Sequence, residues 1–140
     1  MQKNFLMEKI DLLFKDLTPL KLRIFNPILR RVIPFNLPHM ISLVSINHDQ
    51  AVASIPNKRV NHNHLGGIHA CAIATLGEFC AGLMIIKHFS ITKFRPIMKN
   101  LNIENLYQGK SELKGECSIP ESELTRVQTE LSDQDKSFIE

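Results

Sequence analysis

Hydrophobic and polar positions divide the chain into stretches of different period. Residues 4–17 place Leu6, Ile10, Leu13, Phe14 and Leu17 at helical spacing with charges on the other face, which predicts an amphipathic helix. Thr18-Pro19 then offers an N-cap and a proline at the first helical position. The second amphipathic stretch carries Leu20, Ile24, Ile28 and Val32 as its stripe, expected to cover a sheet edge or one face of the core. Pro27 either kinks this helix or marks its start. Pro34 and Pro38 end helical continuity, and two β-favouring runs follow, 40–46 and 51–55, with His48-Asp49 as a tight hairpin turn between them.

A polar loop over 58–63 leads into glycines and then into 68–86, which is apolar nearly all round. Such a run is a buried core helix or a membrane span. Glu78 at its middle would be costly in lipid, and the small residues Ala70, Ala72, Ala74, Gly77, Ala81 and Gly82 suit close approach by backbone or another helix. A central core helix over about 68–87 is therefore expected. Beyond His88 the period becomes alternating. Ile97, Leu101, Ile103 and Tyr107 predict one strand, Gly109 a turn, and Leu113, Cys117 and Ile119 a half-exposed antiparallel strand. Pro120 opens a short helix bearing Leu124, Val127 and Leu131, Ser132 to Asp135 reads as a turn, and Phe138-Ile139 as the start of a further strand.

Composition narrows the function classes. The 140 residues are 44% hydrophobic and 22% charged, enough for one domain with a real core. The net charge of +3 is small but uneven: residues 1–31 hold seven Lys/Arg against three Asp/Glu, and residues 112–140 hold three against eight. No runs of aromatics interleave with the basic residues, so nucleic acid is not an expected partner. The basic front, residues 4–33, could touch a membrane surface. Cys71, Cys80 and Cys117 are odd in number and widely spaced, which suits buried thiols in a reducing compartment. Glu8, Lys9, Asp11, Lys15 and Asp16 interrupt the N-terminal apolar residues, so no secretory leader is expected and the cytoplasm is the default location.

The start of the central helix reads Asn63-x-x-Gly66-x-x-His69, and Glu78 follows nine residues after the histidine. In this pattern, from about Pro34 to Gly109, the chain resembles the hotdog-fold acyl-CoA thioesterase superfamily. The likeness is strongest to the phenylacetate-pathway type and a related, largely uncharacterised subfamily. The resemblance implies an α+β hotdog fold, with an antiparallel sheet around the helix at about 68–87. Residues 1–33 would be N-terminal amphipathic helices, and 34–140 the hotdog domain. It implies Glu78 as the acid that activates water or attacks the thioester, and the N–H of Ala70 as the group polarising the thioester carbonyl. Asn63 would hold the carbonyl or the water, beside His69, and Gly66 and Gly67 would allow close approach. The family often has Gly-Gly where this chain has Ala70-Cys71, a tighter mouth, and continues through one or two more strands than are present here.

Physical chemistry supports part of this independently. A helix N-terminus offers unpaired N–H groups to a developing oxyanion. A carboxylate buried among Leu76, Phe79 and Cys80 would be a stronger base. At about 100° per residue, however, His69 and Glu78 lie on opposite faces. One substrate would then need both halves from a homodimer, or a homotetramer built from one. His69 could instead cap the helix, Asn63 could be a turn residue, and Glu78 could tie down backbone. His62, His64 and His69 match no closed zinc spacing, so no metal and no cofactor are expected. The expected activity is hydrolysis of acyl-CoA or another acyl thioester. A non-catalytic acyl-binding hotdog protein and a peripheral membrane protein held by its N-terminal helices are the alternatives.

Overall fold

A computed structural model describes residues 18–89, 93–134 and 136–139 of the chain. The helix expected over 4–17 lies outside them. Helix α1, Pro19–Val32, starts as anticipated, with Thr18 as N-cap accepting from the Lys21 N–H at 3.4 Å, and it runs through Pro27. Its inward face differs from expectation. Phe25 and Leu29 are buried in the core, while Leu20, Ile24 and Ile28 face outward. The helix carries two apolar faces, and polar side chains select between them. The Asn26 carboxamide donates to Leu43 O at 2.9 Å and accepts from Leu43 N at 2.7 Å. The Arg30 guanidinium donates to Ile41 O at 3.0 Å, Met40 O at 2.9 Å and the Ser42 hydroxyl. Only the rotation that buries Phe25 and Leu29 makes these bonds.

Three antiparallel strands form one sheet in the order β1 (Ser42–Ile46), β2 (Gln50–Ile55), β3 (Leu113–Ser118). The β1–β2 turn falls at His48-Asp49 as expected, and Asn47 organises it, its side-chain oxygen accepting from Asp49 N at 2.9 Å and Gln50 N at 2.8 Å. Helix α2, Ala70–His88, packs against β2 and β3 through Ala72, Leu76, Phe79, Cys80 and Leu83. Packing is tightest at Gly115. A Cβ there would stand 2.9 Å from Leu76 Cγ and 3.3 Å from Cys80 Sγ. Gly115→Ala is therefore expected to cost about 1–3 kcal/mol through overpacking. A urea midpoint unchanged from wild type would show that the helix yields there.

Helix α3, Glu121–Gln134, buries Leu124 and Val127 with Phe89 in a smaller second cluster. It includes Ser132–Gln134, where a turn was expected, and the Ser132 hydroxyl bonds back to Gln128 O at 2.9 Å instead of breaking the helix. Arg126 pairs with Glu123 and Glu130 and donates to Phe138 O at 2.6 Å. The Ser137 hydroxyl and Arg126 hold the Glu130 carboxyl below its ordinary range. Among the described residues, neither of the two remaining expected strands is present. Residues 136–139 run beside α3, and 94–111 is non-strand chain with Ile97, Met98, Leu101, Ile103 and Tyr107 exposed. Alternation alone does not make a strand: a ladder partner is required, and no strand pairs with this segment among the described residues.

Candidate active site

The loop that delivers α2 is built around Asn61, 1% exposed, to which the sequence reading gave no role. Its Nδ2 donates to Pro56 O at 2.9 Å and His39 O at 3.0 Å, and its Oδ1 lies 2.9 Å from His39 Nδ1. Since that oxygen can only accept, His39 is protonated on Nδ1. The Asn61 carbonyl receives the His69 N–H at 2.7 Å, fixing where the helix begins. Asn61→Ala would strand several buried polar groups at about 1–3 kcal/mol each, so a thermal midpoint well below wild type is expected. An unshifted midpoint would mean water replaces the carboxamide.

Asn63 shapes the glycine turn. Its Oδ1 accepts from Leu65 N at 2.9 Å and Gly67 N at 3.2 Å, while its own N–H donates to Gly67 O at 2.8 Å. The turn role is thus present, and it directs the side-chain NH2 away from those amides. Gly66 has φ +78°, the left-handed region that a side chain would strain. Gly67 is buried under Gln108, whose Nε2 would come within 2.6 Å of a Cβ at that position. Gln108 was not singled out from the sequence, since only the fold brings 108 to 67. Ile68 N to Gly109 O at 2.8 Å fastens the two segments.

The first turn of α2 is largely satisfied from within. His69 is the N-cap: its Nδ1 accepts from Cys71 N at 3.0 Å, and its carbonyl accepts from Ala72 N (2.9 Å) and Ile73 N (3.1 Å). That leaves the Ala70 N–H, at the first helical position, with no hydrogen bond among the described residues. Ala70 also lines a cleft of about 370 Å³ with Asn63, Leu65, Ile68, Ile73, Asn105, Leu106, Tyr107 and Gln108. The walls are mainly apolar, with carboxamides from Asn63, Asn105 and Gln108. Asn63 and Ala70 are brought together here, beside Gly66 and Gly67. His69 and Cys71, on either side of Ala70 in sequence, are exposed, and neither lines the cleft.

Glu78 does not join them. It is exposed on the face of α2 turned from the sheet, so the burial expected among Leu76, Phe79 and Cys80 is not found in this chain. Those three residues point to the sheet, and helical rotation sends Glu78 the other way. Eight residues from Ala70 amount to about 12 Å along the axis, and Glu78 is no part of the cleft wall. Gly77 and Gly82 lie on the same side, where an added Cβ would meet nothing within 4 Å. The close approach expected of these small residues is not made by the described chain.

The cysteines divide by burial. Cys80, donating to Gly115 O at 3.4 Å, is pushed up to about 11 by burial, and burial also raises Cys117. A thiolate is the reactive form, so exposed Cys71 should react first with a thiol reagent at neutral pH and Cys80 only on unfolding. Mass spectrometry of partially labelled protein would show otherwise if Cys80 reacted in the native state.

Residues 22–138 match the family described as a domain of unknown function, DUF4442. The chain belongs to this family. Solved structures similar to this DUF4442 chain include a Pseudomonas aeruginosa protein of unknown function, PA5026, described as a probable thioesterase. It is 20% identical with a TM-score of 0.71, over 80% of this chain and 74% of that one. A protein of unknown function from Chlorobaculum tepidum is 13% identical with a TM-score of 0.70, over 84% and 74%. None of the curated proteins matches the sequence. The likeness fixes the fold: the DUF4442 chain has the α+β hotdog arrangement, an antiparallel sheet packed on one long helix.

Proposed function

We propose that this protein hydrolyses acyl thioesters, acyl-CoA or an acyl-carrier thioester, at a site completed by a second copy of the chain. The observation that carries the reading is the Ala70 N–H, unbonded among the described residues and opening on a mainly apolar cleft. The acyl group would lie against Leu65, Ile68, Ile73 and Leu106, its carbonyl oxygen on that N–H and on the Asn63 amide. Water, deprotonated by Glu78, would attack the carbonyl carbon. The oxyanion would be held at the helix N-terminus, and collapse would break the C–S bond, the thiolate regaining the proton from Glu78. Direct attack by the carboxylate, breaking the C–S bond with release of the thiolate and giving an anhydride that water then cleaves, uses the same groups. The probable-thioesterase description of the P. aeruginosa protein favours this chemistry.

The geometry within one chain argues for the second copy. A carboxylate about 12 Å along the helix from the oxyanion donor needs a partner's cleft, and the open small-residue face at Gly77 and Gly82 leaves room for one. Complementation tests it. Ala70→Pro keeps Glu78 and loses the oxyanion donor, whereas Glu78→Gln does the reverse. Mixed under exchange, half the dimers are hybrids with one of two sites intact, so activity should recover to about a quarter of wild type. No recovery despite hybrid formation, or a fully active monomer, would overturn the shared site.

A further inference from the structure

The outer face of α1 is not used by the catalytic reading and stands independently of it. At about 100° per residue, Leu20, Ile24 and Ile28 form one stripe along the helix, and they are 69%, 65% and 41% exposed. The opposite face, Phe25 and Leu29, is already committed to the core. Helices of globular proteins ordinarily carry one apolar face, so a second one in water has a cost that a ligand surface would remove. Phe35 and Leu37, 68% and 50% exposed, add apolar area just past the C-terminal end of α1.

Charge narrows the occupant. Helix α1 holds Lys21, Arg23, Arg30 and Arg31 and no acidic residue. Arg30 is turned inward to the carbonyls of Met40 and Ile41. Lys21, Arg23 and Arg31 are exposed, Arg31 within the apolar stripe and the other two on its flanks. Apolar side chains along one line with cations beside them match a bilayer, whose acyl boundary takes the first and whose anionic headgroups take the second. The clamp of Asn26 and Arg30 on β1 holds the face in place, so no ordering of the helix is needed on contact.

We propose that the Leu20–Ile24–Ile28 face of α1 docks the protein on an anionic phospholipid bilayer. The test is co-sedimentation of the full chain with vesicles of phosphatidylcholine, alone or mixed with phosphatidylglycerol. Wild type should bind the mixed vesicles, release at high salt, and bind pure phosphatidylcholine weakly. Leu20→Ser/Ile24→Ser should lower the bound fraction on mixed vesicles about tenfold, and Lys21→Gln/Arg23→Gln/Arg31→Gln about as much. All five side chains lie outside the core, and unchanged thermal midpoints would exclude unfolding as the cause. Absence of binding, equal binding to both vesicle types, or wild-type binding by Leu20→Ser/Ile24→Ser would each overturn the proposal. So would a vesicle-independent change of oligomeric mass in that variant, which would assign the stripe to a contact between copies.

Discussion

Glu78→Gln is expected to lower kcat for acyl-CoA hydrolysis by about 10²–10⁴-fold and to leave the unfolding midpoint in place. The side chain is exposed in the protomer, so an isosteric amide is expected to disturb the fold little. What it removes is the proton acceptor, and with it the nucleophile of the anhydride route. A neutral carboxamide cannot take a proton from water at any useful pH. KM should change little, because the proposed role of Glu78 is on the attacking water, whereas the acyl group is held by the apolar walls of the cleft. A panel of acyl-CoA chain lengths run on both proteins gives the measurement. Equal turnover by the variant would remove Glu78 from the chemistry, and absence of turnover by wild type on every thioester would favour an acyl-binding protein without catalysis.

Ala70→Pro isolates the other half. Proline is favoured at the first helical position, where its fixed φ fits and its missing N–H breaks no intrahelical bond. His69, which precedes it, already has φ −66° and ψ 139°, a conformation compatible with a following proline. The substitution thus deletes one unbonded donor and little else. Loss of a single oxyanion donor lowers kcat by about 10²–10³-fold. The expected signature is that loss with a preserved melting temperature and gel-filtration volume. Retained kcat in a folded variant would mean that the carbonyl is polarised elsewhere, with the Asn63 amide the next group to remove.

Legibility in the sequence followed the range of the interactions. The Thr18 cap, the His48-Asp49 turn and the long helix are set by neighbours a few residues apart, and each formed where expected. The half-exposed strand also formed, because β2, far earlier in the chain, supplies its ladder. The inward face of α1 was not legible, because Asn26 and Arg30 choose it by reaching β1 and the chain just before it, 10 to 17 residues away. The strand expected near 97–107 failed for a related reason, since alternation specifies a face but not a partner. At the site, the positions of Asn63, Gly66 and Gly67 in one turn could be read directly. Asn61 and Gln108 could not, since their partners are set by the folded loop and by a segment about 40 residues further on. The expectation that His69 and Glu78 fall on opposite faces rested on helix geometry alone.

The reciprocal bonds between Asn26 and Leu43 decide how this sheet can grow. β1 lies at one end of the strand order, and the outward N–H and C=O of Leu43 are already taken by a side chain that mimics a neighbouring strand. An incoming strand, whether from this chain or another, cannot pair there without first prising α1 away. Extension is therefore directed to the β3 side. Among the described residues the sheet is sealed at its β1 margin and no strand follows β3, so an assembly built through it would have a single direction.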